Sequence, residues 1–143
     1  MASVTAVCIS EQKGTPKHEV PHLQLKIHHG IIGDAHAGSW HRQVSLLASE
    51  SVEKMKDTFP DIPAGAFAEN ILTNGLILHT LPVGTRLRIG EVLLEVTQIG
   101  KECHAHCAIR RQVGDCVMPR EGIFAIVLEE GIIRPGDPII IPG

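Results

Sequence analysis

Three of the chain's four cysteines fall in one short stretch, Lys101-Glu102-Cys103-His104-Ala105-His106-Cys107 and then Gly114-Asp115-Cys116. Two thiols and two imidazoles from Cys103 to Cys107 are more soft donors than a hydrophobic core requires. Such a set can hold a metal, carry sulfur or do redox work. The thiolate is the reactive form of cysteine, and a neighbouring cation such as Lys101 favours it. Cys103 is therefore the expected reactive or ligating residue, accepting sulfane sulfur as a persulfide or binding a soft metal. A tetrahedral zinc site can also be assembled from Cys103, Cys107 and Cys116 with His104 or His106, although the spacing is not the usual C-x2-C pair. Alternatively, Cys107 or Cys116 resolves a persulfide or sulfenate on Cys103 by closing a disulfide. Cys116 could equally be a buried thiol with no chemistry, and that reading is the expectation for Cys8, inside an apolar strand.

A second concentration of polar chemistry is the loop from His28 to Arg42, HHGIIGDAHAGSWHR, which holds four histidines, an aspartate, an arginine and the single tryptophan. Asp34 could accept from His36 or His41 and orient an imidazole for proton transfer or ligation. It could equally close a turn after Gly33 with its own backbone. His18, His22, His28 and His29 read as solvated surface residues. Arg42, Arg86, Arg88, Arg110, Arg111 and Arg120 supply anion-binding capacity, because a guanidinium grips oxyanions with two donors. Arg86 and Arg88 alternate on one strand face, where solvation is the default. Arg120, in Met118-Pro119-Arg120-Glu121-Gly122, is the preferred anion-binding candidate, with Glu121 as an alternative ion-pair partner.

The elements that must position these residues are short. The chain has 143 residues, enough for one domain with its own core. Aliphatics dominate a 43% hydrophobic fraction, aromatics reach only 3%, and 14 glycines and 9 prolines punctuate the apolar runs. This pattern predicts short strands and many turns in an all-β to α+β fold, a sandwich or a barrel, as one domain over residues 1–143 with one or two short helices. Strands are expected at Ala2–Ser10, His22–Ile27, Gln43–Leu47, Gly122–Glu129 and Pro138–Ile141. A hairpin is expected over Gly84–Ile99 with its turn at Gly90-Glu91. A further strand within Ala64–Gly75 should run into the Asn74-Gly75 turn. Ala48, Val52, Met55 and Phe59 form one helical stripe, with Ser49 as the expected N-cap and Pro60 as the exit.

A net charge of −3 and the absence of a basic run argue against nucleic acid as a partner. No apolar stretch approaches membrane-spanning length, and the first residues lack signal-peptide character. The protein is read as cytoplasmic, with reduced thiols and no membrane partner.

Five stretches then recur in the order known for one family. They are Gly33-Asp34-Ala35-His36, Ala68-Glu69-Asn70-Ile71-Leu72, Val83-Gly84-Thr85-Arg86-Leu87-Arg88-Ile89-Gly90, the cysteine after Val96-Thr97-Gln98, and Met118-Pro119-Arg120-Glu121-Gly122-Ile123-Phe124-Ala125. Together they resemble the MOSC domain, found at the C-terminal end of molybdenum cofactor sulfurases, in amidoxime-reducing enzymes and as small stand-alone bacterial proteins. The resemblance runs from about Val4 to Pro142 and implies a strand-rich β-barrel. It implies a domain that carries sulfur or binds the molybdenum cofactor (molybdopterin), with Cys103 as its hallmark cysteine. In the amidoxime-reducing relatives that cysteine ligates molybdenum and an asparagine matching Asn70 helps hold the pterin; the arginine that precedes it there is absent here. Sharing of the Gly33-to-His36 segment favours a site role for Asp34 and His36. Implied partners are a sulfur donor such as a cysteine desulfurase, and proteins of molybdenum cofactor biosynthesis or molybdoenzymes. The protein would then act as a sulfurtransferase-like component. Pyridoxal phosphate, which serves the sulfurases' desulfurase domain, is not expected, because no cofactor lysine stands in a strand-loop-helix context. Two other classes stay open: a binding module built on structural zinc, and an interaction partner without chemistry of its own.

Overall fold

A computed structural model describes residues 2–12, 15–54, 62–100 and 121–142. The cysteine-rich stretch, with Cys103, His104, His106, Cys107, Cys116 and Arg120, lies outside the described residues, as does the second half of the expected helix. Eleven strands appear in chain order: β1 (Ser3–Ile9), β2 (His18–Val20), β3 (Leu23–Lys26), β4 (Gly30–Ile31), β5 (Val44–Ala48), β6 (Ile71–Asn74), β7 (Arg86–Ile89), β8 (Val92–Ile99), β9 (Ile123–Glu129), β10 (Gly131–Ile133) and β11 (Ile139–Ile140). One short helix, α1 (Ser49–Glu53), and a 3-10 turn at Leu78–Thr80 complete the described elements.

Eight strands pair in the order β11-β7-β8-β9-β5-β6-β1-β2, and a small sheet pairs β10-β3-β4. All pairs but one are antiparallel; β3-β4 and β7-β8 are joined by tight turns, whereas β11-β7, β9-β5, β6-β1 and β10-β3 pair strands from distant parts of the chain. β5 and β6 are the parallel exception, and α1 lies in the crossover that such a pair needs. The large sheet curls until residues 2–4 meet residues 136–139, where Val4 N donates to Asp137 O (2.9 Å) and Ile139 N to Ala2 O (2.9 Å). These contacts amount to one isolated bridge, Ser3 with Pro138, not to a paired ladder. The described strands therefore form a curled open sheet with β2 and β11 at its ends, and the closed barrel implied by the resemblance is not completed by strand pairing among the described residues.

Two apolar clusters explain the burial. Val4, Val7, Leu23, Leu25, Val44, Leu46, Leu87, Leu94 and Ile123 belong to the larger one inside the curl. Ala6, Leu47, Val52, Phe67, Leu72 and Phe124 form a smaller cluster. Because β5 contributes to both, all five of its residues are buried, and it reads as a continuous apolar run rather than an alternation. β3 instead alternates, with Leu23 and Leu25 inward and Gln24 and Lys26 outward.

The helix begins at Ser49, just after Ala48 opens the stripe, but Ala48, not Ser49, is its N-cap, and no side chain caps it. Ser49 turns its hydroxyl to Glu50 instead (3.3 Å). Among the described residues no helix is long and apolar enough to cross a membrane.

Candidate functional site

The His28-to-Arg42 loop and the chain preceding β2 build one continuous polar feature. Its centre is Lys17, an ammonium with 0% side-chain exposure, paired with an equally sealed Asp34 at 2.8 Å. Lys17 Nζ also donates to Ser10 Oγ (3.1 Å) and to His36 Nδ1 (3.0 Å). Each of its three protons thus has an acceptor, which is the condition for burying an ammonium. An ammonium cannot accept, so Nδ1 of His36 must be the acceptor nitrogen, and its ring proton sits on Nε2. Lys17 thereby sets the tautomer of His36.

Asp34 is held as tightly. Oδ1 accepts from Ser10 N (3.1 Å) and Oδ2 from His36 N (3.0 Å), the latter closing a turn with its own backbone. Burial opposes ionisation of Asp34, but the nearby His36 side chain, the charge and hydrogen bond of Lys17 and the Ser10 amide together hold its carboxyl well below the usual range. Both readings of Asp34 from sequence are therefore partly realised, with one correction. The His36 ring stands 3.7 Å from Oδ2, too far for a direct bond, so Lys17 and not Asp34 orients the imidazole. His41 turns away to Gln98 Oε1 (2.8 Å), while Thr97 donates to the His41 carbonyl.

From His36 the feature continues through rings. Trp40 Nε1 donates to the His36 carbonyl (2.7 Å), and the two rings stack at 5° with centroids 6.4 Å apart. The Arg42 guanidinium lies 4.7 Å from the Trp40 ring centre and 5.6 Å from that of Phe124. Its Nε is sealed from solvent and has no hydrogen-bond partner. A buried N–H without an acceptor costs about 1–3 kcal/mol, so this cation is held at a price the fold does not recover locally. Arg86 and Arg88, by contrast, spend their charge on Glu95 (3.5 Å) and Glu129 (2.9 Å) across the sheet.

The described chain ends beside this cluster. Gln98 donates to Gly100 O (2.8 Å), and Gly100 N donates to Gly122 O (2.7 Å). That last bond joins the two ends of the stretch that carries Cys103. Glu121, which follows Arg120, pairs with Lys54 (2.9 Å) and accepts from Ser51 (2.7 Å). Burial works against its charge, yet Ser51 and Lys54 outweigh it and lower its carboxyl pKa.

Asn70 occupies a different place from Asp34 and His36. It is fully buried, Nδ2 donates to Cys8 O (3.1 Å), and Oδ1 accepts from Ser45 N (3.0 Å) and Ser45 Oγ (3.1 Å). It ties β1, β5 and β6 together. Glu69 beside it accepts from Gly65 N (2.8 Å) and Phe67 N (3.1 Å). Burial raises its carboxyl pKa against those amides. Gly65 must be glycine: its φ is +88°, and a Cβ there would stand 2.2 Å from Lys17 O. Cys8 is fully buried, and burial first, then the Glu69 charge, pushes its thiol up to about 12. This agrees with its reading as an inert core thiol. His18, His22 and His28 are exposed, as expected, and His29 is half-buried.

Sequence reasoning missed Lys17, Ser10, Ser45 and Gln43. Lys17 looks like any surface lysine, since its partner Asp34 is 17 residues away and no local pattern links them. Gln43 reaches Gly38 O and receives Val127 N, locking the loop to β9. The only signal for it was a polar residue opening an apolar run. Among the described residues no group of three or more His, Cys, Asp or Glu side chains is placed to hold a metal ion. The sulfur and imidazole ligands proposed for zinc or molybdenum lie outside them.

Comparison with known proteins places this geometry in context. The model of the MOSC domain family matches residues 33–140. No similar curated protein sequence was found. Among solved structures, the fold is similar to the YUAD protein from Bacillus subtilis, with a TM-score of 0.78 and 18% identity over 97% of this chain and 94% of that one. It is similar to YiiM from Geobacillus stearothermophilus (TM-score 0.76, 21% identity, 100% of this chain and 76% of that one). YiiM from Escherichia coli is similar with a TM-score of 0.68 and 21% identity, over 99% of this chain and 68% of that one.

Proposed function

Given that the chain belongs to the MOSC domain family, we propose that it carries sulfur for, or binds, the molybdenum cofactor, with Cys103 as the working thiolate. The observation that carries this reading is the extent of the family match, which spans the Gly33–Arg42 loop and Cys103 together. The described residues add support. The Gly100–Gly122 bond brings both ends of the cysteine stretch to the sheet end where Gln98 and His41 meet, with Phe124 and its partner Arg42 close by in the chain.

In the sulfur-carrying form the Cys103 thiolate attacks the terminal sulfur of a donor persulfide, such as that of a cysteine desulfurase. The donor's S–S bond breaks, its thiolate leaves, and a persulfide forms on Cys103 with no net oxidation or reduction. The chain's own residues suit an oxygen-rich ligand. His36 carries its ring proton on Nε2 because Lys17 occupies Nδ1, and its side chain keeps 18% exposure through which that proton can meet a ligand. Bound at this face, the molybdenum cofactor would supply a soft metal able to take a thiolate ligand. Arg42, His36 and Cys103 are the residues that would hold it.

Incubation of the full chain with a cysteine desulfurase and cysteine, followed by intact mass spectrometry, tests the reading. One added sulfur, absent from Cys103→Ser, is expected. Equal sulfur loading in Cys103→Ser refutes the role of that residue.

A further inference from the structure

The contacts of Gln98 determine which nitrogen of His41 carries the ring proton. Gln98 Nε2 donates to the Gly100 carbonyl (2.8 Å). A carbonyl only accepts, so the amide nitrogen faces Gly100 and the amide oxygen faces His41. That oxygen also only accepts, so His41 Nε2, at 2.8 Å, is the protonated nitrogen. The neutral imidazole then has its lone pair on Nδ1. Among the described residues no hydrogen bond reaches that nitrogen. Thr97 ties the His41 carbonyl, the ring meets Trp40 edge-on with centroids 5.9 Å apart, and the residue is exposed. His36 has the opposite sense: its Nδ1 is spent on Lys17 and its Nε2 offers a proton. His41 spends its proton inside the protein and offers a basic nitrogen.

We propose that His41 is the base that takes the proton of the Cys103 thiol, with Gln98 as the positioning residue that aims it. The inference rests on the functional reading above and deepens it by naming the group that activates the thiol. A nucleophilic thiol is activated by an imidazole whose second nitrogen is held by an amide or carboxylate oxygen. His41 and Gln98 supply those two members. The chain limits the distance to the third: Gln98 is tied to Gly100, and Cys103 follows three residues later, about 11 Å at full extension. In the step, the proton on Cys103 Sγ passes to His41 Nδ1, giving a thiolate and an imidazolium whose Nε2–H stays on Gln98. The thiolate attacks the terminal sulfur of the donor persulfide and the donor's S–S bond breaks. The imidazolium returns its proton to the leaving thiolate, with no net oxidation or reduction. His41 is one of four histidines in its loop and Gln98 an uncharged residue at a strand end; their contact across 57 residues is what singles them out.

Alkylation of the full chain by iodoacetamide at about pH 7 tests the step without a sulfur donor, because the reagent reads the thiolate. Cys103 labelling is followed by peptide mass mapping, and the sealed Cys8 reports that each variant is folded by staying unlabelled. His41→Asn should slow labelling of Cys103 by about tenfold or more. Gln98→Leu keeps the imidazole but not its hold, so it should slow labelling less and serves as the test should the asparagine variant not fold. Gln98→Glu, which keeps an acceptor oxygen for Nε2–H, should recover much of the loss, whereas a merely structural role for the side chain would leave all three rates alike. Ring-nitrogen NMR of Cys103→Ser at about pH 8 should show the His41 proton on Nε2. A proton on Nδ1, or wild-type labelling in both His41→Asn and Gln98→Leu, overturns the proposal. Sulfur loading of Cys103 with labelling that ignores His41 would remove this inference and leave the functional reading standing. Labelling that depends on His41 in a chain that takes up no sulfur would do the reverse for the sulfur-carrying form.

Discussion

Asp34 and Glu69 are both buried carboxyls, flanking Lys17 in the fold, yet their surroundings push them in opposite directions. Asp34 meets a buried ammonium at 2.8 Å as well as two backbone amides, and its carboxyl is held low. Glu69 accepts from the amides of Gly65 and Phe67 with only a distant share of the Lys17 charge, and burial holds it high. Burial alone therefore does not decide the state of an acidic side chain here. The decisive variable is whether a full positive charge sits within hydrogen-bond reach. One region is a charged node that fixes a histidine tautomer; the other is a turn closed by a carboxyl that resists charge.

The largest effect should come from breaking the charged node. Lys17→Met strands a buried carboxylate and Asp34→Asn strands a buried ammonium, so each should lower the unfolding free energy by about 3–5 kcal/mol in urea titrations. The double variant should lose clearly less than the two losses added together. Strict additivity would show that the two residues do not act as a pair.

A smaller effect separates the two carboxyls by pH. Asp34 has a depressed folded pKa, so its stabilisation is complete above the ordinary aspartate value near 4 and is lost as pH falls below it. Glu69 has a raised folded pKa, so it favours the fold as pH falls through that value and disfavours it above. Between about pH 5 and 3 the urea midpoint of Asp34→Asn should fall less steeply than that of the wild type. That of Glu69→Gln should fall more steeply than the wild type's as pH is lowered toward about 4.5, the window between the raised and the ordinary carboxyl value, and run parallel to it below. Glu69→Gln should also cost about 1–3 kcal/mol at neutral pH, because a carboxamide can accept only one of the two amides with its oxygen. Parallel midpoint curves for all three proteins would erase the distinction.

The smallest effect is a labelling difference. The Cys8 thiol, pushed up to about 12 by burial and by the Glu69 charge, should resist iodoacetamide at neutral pH in the native protein and react in urea, as read by peptide mass mapping. Native labelling of Cys8 would show that the Glu69 region opens.

Much of the scaffold was readable from residue order. β1, β3, β6, β7, β8, β9 and β11 fall inside the expected runs, β5 passes the end of its own by one residue to Ala48, and the hairpin turns at Gly90, where φ is +59°. Apart from the two-residue β11, marked by the apolar run after Pro138, these strands have enough length and patterning to declare themselves locally. The two- and three-residue strands β2, β4 and β10 did not, because so few residues carry no period; distant partners define them. The site divides in the same way. Asp34 and His36 stood out by residue type and are in contact with one another through backbone and Lys17. Lys17 could not be seen, since burial of a lysine is a property of its tertiary surroundings. Asn70 was found through resemblance alone, and its side chain is occupied in joining three strands. The second ring beside Arg42, that of Phe124, arrives from β9, far along the chain.

The amide-to-carbonyl contact from Gly100 to Gly122 has a consequence for how such a scaffold can vary. It continues the pairing of β8 with β9 by one step past Ile99 and Ile123, so the sheet itself brings the two glycines together. Ring-closure entropy grows only logarithmically, so doubling the number of residues between those glycines costs about 0.6 kcal/mol. Donor sets of different length and composition can be exchanged at that junction while β8 and β9 keep their register.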